Sequence, residues 1–187
     1  PGVDFTVRIF TPAAEVPLAG HPVVGTHYLL AQLGRIKLES PVTRIHQELK
    51  VGILPVDLYV EEGQVTQVVM TQALPQFLSE WHDLAELAAA LGIPEEEIRS
   101  VGLTPQVVST GLPQLMIPVR SLTAVQKAKP NTAALLDIGQ RAGTDCFVIF
   151  TLETLSADRH IHMRMFAPGL GVPEDPATGS ASGGLGA

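Results

Sequence analysis

The alternation of hydrophobic and polar residues predicts a chain made of many short strands and a few helices. In residues 4–12, Phe5, Val7 and Ile9 fall on one side, which predicts a strand. Residues 43–72 predict strands joined by turns, and Glu-Glu-Gly at 61–63 favours a hairpin. Further along, residues 106–119 predict a strand, a turn and a second strand, residues 145–152 a buried strand, and residues 159–168 an alternating strand.

Helical spacing of hydrophobic residues is clearest in residues 79–93. Ser79 is a candidate cap, Gly92 a candidate end, and one helix face carries Leu84, Leu87, Ala88 and Leu91. Residues 23–34 predict another helix, which ends at Gly34, and residues 131–143 predict a short one. Strands and helices therefore alternate irregularly, which indicates an α+β fold.

Two segments of the chain resemble each other at a displacement of 156 residues. In that register the pairs Arg8 and Arg164, Phe10 and Phe166, Pro12 and Pro168, and Pro17 and Pro173 are identical, and Gly25 falls on Ala181. Such a long period predicts two similar halves related by a pseudo-two-fold axis. We expect residues 1–77 to form the first half and residues 78–187 the second.

Each of the two segments ends in a turn followed by a helix start that is rich in small residues. Two halves packed face to face would bring these helix N-termini, with their unpaired N–H groups, toward one cleft. Gly20 and Gly179 would let the backbone come close to a ligand. The arrangement favours a small anion, most simply a carboxylate.

Composition narrows the classes of function. The 187 residues are 45% hydrophobic and 17% charged, with a net charge of −7, which disfavours nucleic-acid binding. No apolar stretch approaches the roughly 20 residues that a membrane span needs. The one cysteine, Cys146, fits a reducing compartment and a cytoplasmic location. We also expect the first half to lack its N-terminal part and the second half its C-terminal part.

The two segments RIFTPAAEVPLAGHPVVGTHYLL and RMFAPGLGVPEDPATGSASGGLGA closely resemble the signature segments of PhzF-like proteins, the phenazine-biosynthesis isomerase family. The segment VVSTGLPQLMIPV resembles a third family segment, a substrate-side loop. The resemblance runs over essentially the whole chain. It implies a diaminopimelate-epimerase-like fold, with two pseudo-symmetric barrel-like halves, each wrapped on a central helix, and an active site between them.

The resemblance also implies cofactor-free proton transfer on a small carboxylate-bearing substrate, in a protein that is commonly a homodimer. Family roles fall on His21, Asp175 and Ser180 as catalytic residues, with backbone N–H groups at Gly20 and Gly179 holding the substrate carboxylate. The principal acid/base of the family is a glutamate in an Asn-x-Ser-Glu-type segment upstream of the first signature. These 187 residues do not contain that segment, so here the sequence departs from the family pattern.

Each candidate residue also has a plain structural interpretation. His21 is suited to acid/base work near neutral pH, but it could instead be a turn residue that bonds to backbone. Asp175 could simply form an Asx-turn, and Ser180 could be a helix cap. His160 and His162 alternate on a strand without an acidic or cysteine partner at ligand spacing, so no metal site is predicted.

Two other functions remain open at this stage. An epimerase or racemase on the same fold would use two facing cysteines, whereas Cys146 lies in an apolar run that predicts a buried, inert thiol. A non-catalytic ligand-binding or interaction relative would keep the cleft without turnover. Binding of small carboxylates without exchange of a substrate proton would distinguish this relative from an isomerase.

Overall fold

The computed structural model describes residues 2–187, which form two sheets that each pack on helices. The first sheet has the order β1-β4-β5-β6 and consists of β1 (Phe5–Thr6), β4 (Val42–Leu49), β5 (Gly52–Glu61) and β6 (Gln64–Met70). Strand β1 is parallel to β4, and the other neighbours are antiparallel. A separate hairpin pairs β2 (Ile9–Phe10) with β3 (Glu15–Val16).

Helix α1 (Gly20–Gln32) packs its buried face against the first sheet. That face carries Val23, His27 and Ala31, and the sheet supplies alternate residues such as Ile45 and Val56 to the same core. The strands predicted for residues 43–72 are therefore confirmed, and every second residue of β4 is buried.

Helix α1 begins three residues earlier than the sequence pattern predicted, at Gly20. The sequence pattern suggested a turn at Pro22, but this proline lies in the first turn of the helix, where backbone N–H groups have no intrahelical partner. A proline is tolerated at this place. The predicted end at Gly34 is confirmed by its positive φ of 65° and by its N–H, which donates to the carbonyl of Ala31.

The second sheet has the order β12-β11-β10-β9-β8-β7. Its strands are β7 (Gln76–Glu80), β8 (Gln106–Ser109), β9 (Pro113–Pro118), β10 (Phe147–Thr151), β11 (His162–Ala167) and β12 (Val172–Asp175). Strands β9 and β10 are parallel and all other neighbours are antiparallel. A parallel pair needs a long crossover, and α4 (Leu122–Lys127) and α5 (Thr132–Ala142) provide it.

Both faces of the second sheet are covered. On one face Phe147 and Ile149 of β10 pack into a core with the helices α2 (Leu84–Leu91), α3 (Glu96–Arg99), α4 and α5. On the other face Cys146 and Val148 pack with Ala181 of the helix α6 (Gly179–Leu185). Burial on both sides explains why residues 145–152 form a continuous apolar run, as predicted for a buried strand.

The predicted helix over residues 79–93 is correct only in its second part. Residues 76–80 form the edge strand β7, in which Ser79 donates a hydrogen bond to the carbonyl of Ala142 at 3.0 Å. The helix cap is Asp83, whose carboxylate accepts from the N–H of Glu86 at 2.9 Å. Ser79 is therefore not the cap, because pairing with β8 holds it in extended backbone. The end at Gly92, with φ 66°, is as predicted.

An arginine, a glutamate and a phenylalanine mark the segment that precedes α1. The Nε and Nη2 atoms of Arg8 donate to the two carboxylate oxygens of Glu15 at 2.9 and 3.1 Å, across the hairpin of β2 and β3. The guanidinium of Arg8 also lies over the ring of Phe10, 4.9 Å from its centre.

The second half repeats this arrangement before α6. Arg164 donates to both carboxylate oxygens of Glu174 at 2.8 and 2.9 Å, and its guanidinium lies 4.9 Å from the centre of the Phe166 ring. The two arginines are 156 positions apart, whereas the two glutamates are 159 apart. The turn in the second half, which contains a short 3₁₀ turn, is therefore three residues longer. The duplication predicted from the sequence is visible in these contacts.

The register of the repeat changes at this turn. The predicted pairings of Pro17 with Pro173 and of Gly25 with Ala181 are wrong, because from the glutamates onward equivalent residues are 159 positions apart. Pro17 corresponds to Pro176, and the helix starts correspond to each other. The division at residues 77 and 78 stays a prediction; the change from one sheet to the other falls between β6 and β7.

Candidate functional site

The starts of α1 and α6 touch each other at two glycines. A Cβ atom on Gly20 would lie 2.8 Å from the Cα of Gly179, and a Cβ on Gly179 would lie 3.1 Å from the Cα of Gly20. No side chain larger than hydrogen fits at Gly20 without a shift of backbone. The structure thus brings the two predicted glycines together, and their mutual contact is a structural reason for both.

A cavity of about 300 Å³ lies between the two halves beside these helix starts. We call it the inter-half cavity. Four polar side chains line it. The hydroxyl of Thr11 is bonded to the backbone of Ala14 within its own turn, and the other three are His21, Asp175 and Ser180, the predicted catalytic residues. His21 comes from the first half and the other two from the second half. His21 and Asp175 therefore line the same cavity, although they are 154 positions apart in the sequence.

Most of the cavity wall is apolar. Its hydrophobic members include Ile9, Val16, Leu18, Leu112, Leu170 and Val172. A concave, largely apolar space with a few convergent polar groups is the usual form of a small-molecule site. Such a wall excludes water from the carbon skeleton of a ligand and leaves its polar groups to His21, Asp175 and Ser180.

Asp175 is held in place by its own turn. Its Oδ2 accepts from the hydroxyl of Thr178 at 2.8 Å, and its Oδ1 accepts from the N–H of Ala177 at 3.3 Å. The Asx-turn considered from the sequence is therefore present, and the same side chain lines the cavity. A carboxylate with a fixed orientation is suited to positioning a charged or hydrogen-bonding group of a ligand.

His21 and Ser180 occupy equivalent places, each as the second residue of its helix. Ser180 is buried, whereas His21 is exposed. In the hairpins that precede the helices, Ile9 pairs with Val16 as Met165 pairs with Asp175, so Val16 is the apolar counterpart of Asp175. The pseudo-symmetric site is therefore chemically asymmetric: one half supplies an imidazole, and the other a hydroxyl and a carboxylate.

The other two carboxylates of the signature segments serve as ion-pair partners. Arg8 and Lys50 lower the pKa of Glu15 to about 2 by hydrogen bonds and by their charge. The hydrogen bonds and charge of Arg164 lower the pKa of Glu174. Each carboxylate therefore stays ionised at neutral pH and bound to its arginine, outside the set of residues that line the inter-half cavity.

The remaining residues weighed from the sequence lie elsewhere. His27 is fully buried in the first half, where its Nε2 lies 3.0 Å from the Oε1 of Gln47, and burial lowers its pKa. Cys146 is buried in the second half, and burial with the nearby charges of Asp145 and Asp175 raises its thiol pKa to about 12. The prediction that this thiol is buried is confirmed, and its high pKa disfavours cysteine-based epimerase chemistry.

The sequence alone did not indicate the apolar wall of the cavity, nor Gln72, whose side chain bonds to Thr110 and Gly179 of the second half. Met165 and Ala167 line the cavity from one face of β11, and the alternation of residues 159–168 could have indicated them. Leu112 enters from the turn between β8 and β9, which is part of the segment compared with a substrate-side loop. Gln72, in the connecting segment, carried no signal in the sequence alone.

In the described residues, no helix has the length and apolar character needed to cross a membrane.

Solved structures with the same architecture define the fold class. The chain superposes on a PhzF-family phenazine biosynthesis protein of Bacillus anthracis with a TM-score of 0.81 and 33% identity, covering 97% of this chain and 60% of that one. It also matches a hydroxyproline epimerase of Agrobacterium vitis with a TM-score of 0.68 and 12% identity, covering 96% and 54%. The fold is therefore the diaminopimelate-epimerase-like fold, as predicted.

The sequence identifies the family within that fold. Residues 2–187 match the family described as phenazine biosynthesis-like protein, PhzC-PhzF. An uncharacterized isomerase of Clostridium acetobutylicum is 35% identical over 186 residues, covering 98% of this chain and 60% of the relative. The trans-2,3-dihydro-3-hydroxyanthranilate isomerase of Pseudomonas aeruginosa is 34% identical over 182 residues, covering 97% and 58%. The chain belongs to the phenazine biosynthesis-like (PhzC-PhzF) family.

The chain spans about three fifths of the length of these relatives.

Proposed function

We propose that this chain forms the active-site region of a cofactor-independent isomerase, which moves a proton on a small carboxylate-bearing substrate by general acid/base catalysis. One observation carries the proposal: His21, Asp175 and Ser180 converge on one cavity from both halves. Relatives named as isomerases support the same reaction class. An apolar wall beside the polar groups suits a cyclic or otherwise hydrophobic carbon skeleton.

The proposed roles follow from the chemistry of each group. Backbone N–H groups at Gly20 and Gly179, with the hydroxyl of Ser180, hold the substrate carboxylate. His21 transfers a proton near neutral pH, where an imidazole both donates and accepts. Asp175, fixed by Thr178, orients an amino or hydroxyl group of the substrate. The glutamate segment that the family resemblance implies is not among these 187 residues.

Exchange of substrate hydrogen with solvent tests the proposed function. Trans-2,3-dihydro-3-hydroxyanthranilate, the substrate that the Pseudomonas relative's name gives, is incubated in heavy water with the protein, and deuterium in recovered material is measured by mass spectrometry. We expect His21→Asn to reduce incorporation at least about 100-fold, the usual size of an acid/base contribution, and Asp175→Asn to reduce it because the substrate is no longer oriented. Asp158→Asn, a change at an exposed carboxylate, is the control and keeps the wild-type rate.

Binding without exchange would instead favour the non-catalytic relative. If the full-length protein, with the family's glutamate segment present, binds the compound but incorporates no deuterium, the cleft is a ligand-binding site without turnover. If Asp175→Asn exchanges as fast as the wild type, Asp175 has no part in the reaction. The first result would refute the proposed reaction, whereas the second would refute only the role of Asp175 in it.

The proposal includes three further properties of the whole protein. It needs no cofactor, because proton transfer between carbon atoms requires only acid/base groups. We also propose a homodimer in the cytoplasm, acting on a small molecule and not on nucleic acid or membranes. Light scattering of the purified protein measures the dimer directly.

A further inference from the structure

Gln72 lies in the segment that connects the two sheets, and its side chain bonds to two elements of the second half. Its Oε1 accepts a hydrogen bond from the hydroxyl of Thr110. Its Nε2 donates to the carbonyl of Gly179 at 3.2 Å. The backbone of the same segment adds a third bond, from the N–H of Ala73 to the carbonyl of Thr110 at 3.1 Å. The side chain of Gln72 therefore links the segment between the two sheets to both Thr110 and Gly179.

Both of those places adjoin the inter-half cavity. Gly179 immediately precedes Ser180, and Thr110 lies two residues before Leu112; Ser180 and Leu112 both line the cavity. The turn that carries Leu112 also rests on the first half. At Gly111, where φ is 128°, a Cβ atom would lie 2.8 Å from the Cδ1 of Leu18. A shift of this turn would therefore move cavity residues of both halves.

The space around Gln72 leaves its side chain little freedom. A Cβ atom on Gly183 would lie 2.0 Å from the Oε1 of Gln72, so the amide occupies the room that this glycine of α6 leaves. Thr110 is buried, so its hydroxyl has little access to water as another hydrogen-bond partner. An amide that accepts on one side and donates on the other is the group that these two partners require.

We propose that Gln72 is a positioning residue, which sets the separation of Ser180 from Leu112 by holding the first turn of α6 against the turn between β8 and β9. The inference rests on the proposed function, since it assigns a purpose to the cavity. Gln72 itself lines a separate groove that Gly20, His21 and Gly179 also line, and it is not among the residues of the inter-half cavity, so it acts through its partners.

Four variants of the 187-residue chain test this role. Gln72→Met keeps the length of the side chain and loses both bonds. Thr110→Val removes one bond, and Thr110→Ser keeps the hydroxyl. Gln67→Met makes the same exchange of side chains at an exposed position on β6 and is the matched control.

The readout is a titration with benzoate, an apolar monocarboxylate, followed by amide NMR shifts. We expect Thr110→Val to weaken benzoate binding about fivefold, the effect of about 1 kcal/mol for one lost hydrogen bond, and Gln72→Met, which loses two bonds, to weaken it at least as much. Thr110→Ser and Gln67→Met bind within about twofold of the wild type. Without ligand, the amide shifts of Ser180 and Leu112 change in Gln72→Met and stay unchanged in Gln67→Met.

The two proposals fail in different ways. Unchanged amide shifts of Ser180 and Leu112 in Gln72→Met overturn the positioning role, whatever benzoate does. Wild-type benzoate affinity in Gln72→Met overturns it as well, and so does a Thr110→Ser variant as weak as Thr110→Val, because packing would then explain the loss. If the wild-type chain does not bind benzoate at all, the carboxylate site of the proposed function is refuted.

Discussion

A methyl group on Gly20 would collide with the backbone of the other half. In Gly20→Ala the new Cβ would lie 2.8 Å from the Cα of Gly179, 3.0 Å from its carbonyl carbon and 3.2 Å from the nitrogen of Ser180. All three are backbone atoms at the start of α6, so no flexible side chain can move aside. The starts of the two helices must separate to admit the methyl group.

The same substitution five residues later has the opposite effect. Gly25 also lies in α1, and a Cβ atom there meets nothing within 4 Å. Replacing a glycine by alanine inside a helix stabilises it by up to about 1 kcal/mol. Overpacking costs about 1–3 kcal/mol, and at the first residue of a helix the propensity gain is small. We therefore expect Gly20→Ala to lower the free energy of unfolding by about 1–2 kcal/mol and Gly25→Ala to raise it by about 0.5–1 kcal/mol.

Urea unfolding followed by circular dichroism measures both variants against the wild type. Equal slopes against urea are the control that the unfolded states are comparable. In thermal unfolding, the loss in Gly20→Ala corresponds to a Tm lower by roughly 2–8 °C for a chain of this size. A Gly20→Ala protein as stable as the wild type, or changed in the same direction as Gly25→Ala, would refute the close contact of the two helix starts.

Three further predictions concern the halves separately. Arg164→Ala should lower the free energy of unfolding by about 1–3 kcal/mol, because its side chain, 23% exposed, also donates to the carbonyls of Val125 and Ala128 at the end of α4. Arg8→Ala, at a side chain 65% exposed, should lower it by much less, and equal losses in urea unfolding would contradict this difference. Cys146 should not react with a thiol reagent at pH 8 until the protein unfolds, because burial raises its pKa to about 12; prompt reaction of the native protein would oppose this burial. Burial lowers the pKa of His27 in the folded protein. As the pH falls below about 6.5, the imidazole therefore becomes protonated in the unfolded chain before it does in the folded one, and the free energy of unfolding should decrease. The fall should be shallower in His27→Gln, and an equal pH dependence of the urea midpoint in both proteins would exclude His27 as its source.

Much of the architecture could be predicted from local patterns. Alternation in residues 43–72 and the apolar run at 145–152 indicate strands because a sheet buries every second residue on one face, or all residues on two faces. Gly34 and Gly92 mark helix ends because their positive φ angles suit glycine. These features depend on residues that are close in the sequence, so the sequence alone is sufficient to predict them.

Features that depend on distant partners were predicted less well. Residues 79 and 80 were predicted as the start of a helix, but the edge of β8 pairs with the strand β7 that contains them. The repeat was placed in one register throughout, whereas the turn of the second half is three residues longer and shifts every later pair. The insertion becomes visible only when the two arginine–glutamate pairs are compared in space.

The candidate site shows the same division. His21, Asp175 and Ser180 were identified through the family resemblance, and the fold then brings them to one cavity. Gln72 has no distinctive sequence setting, because its importance comes from Thr110 and Gly179, which lie far away in the chain. The apolar wall likewise combines residues from both halves, so no single segment reveals it.

The most direct test of the central claim is a crystal structure of the chain with benzoate bound. The account predicts that the carboxylate lies in the inter-half cavity, within hydrogen-bond distance of the Ser180 hydroxyl and of backbone N–H groups at the start of α1, with the ring against Leu112 and Leu170. Benzoate bound in the groove beside Gln72 and Val69, with the inter-half cavity holding only water, would contradict it.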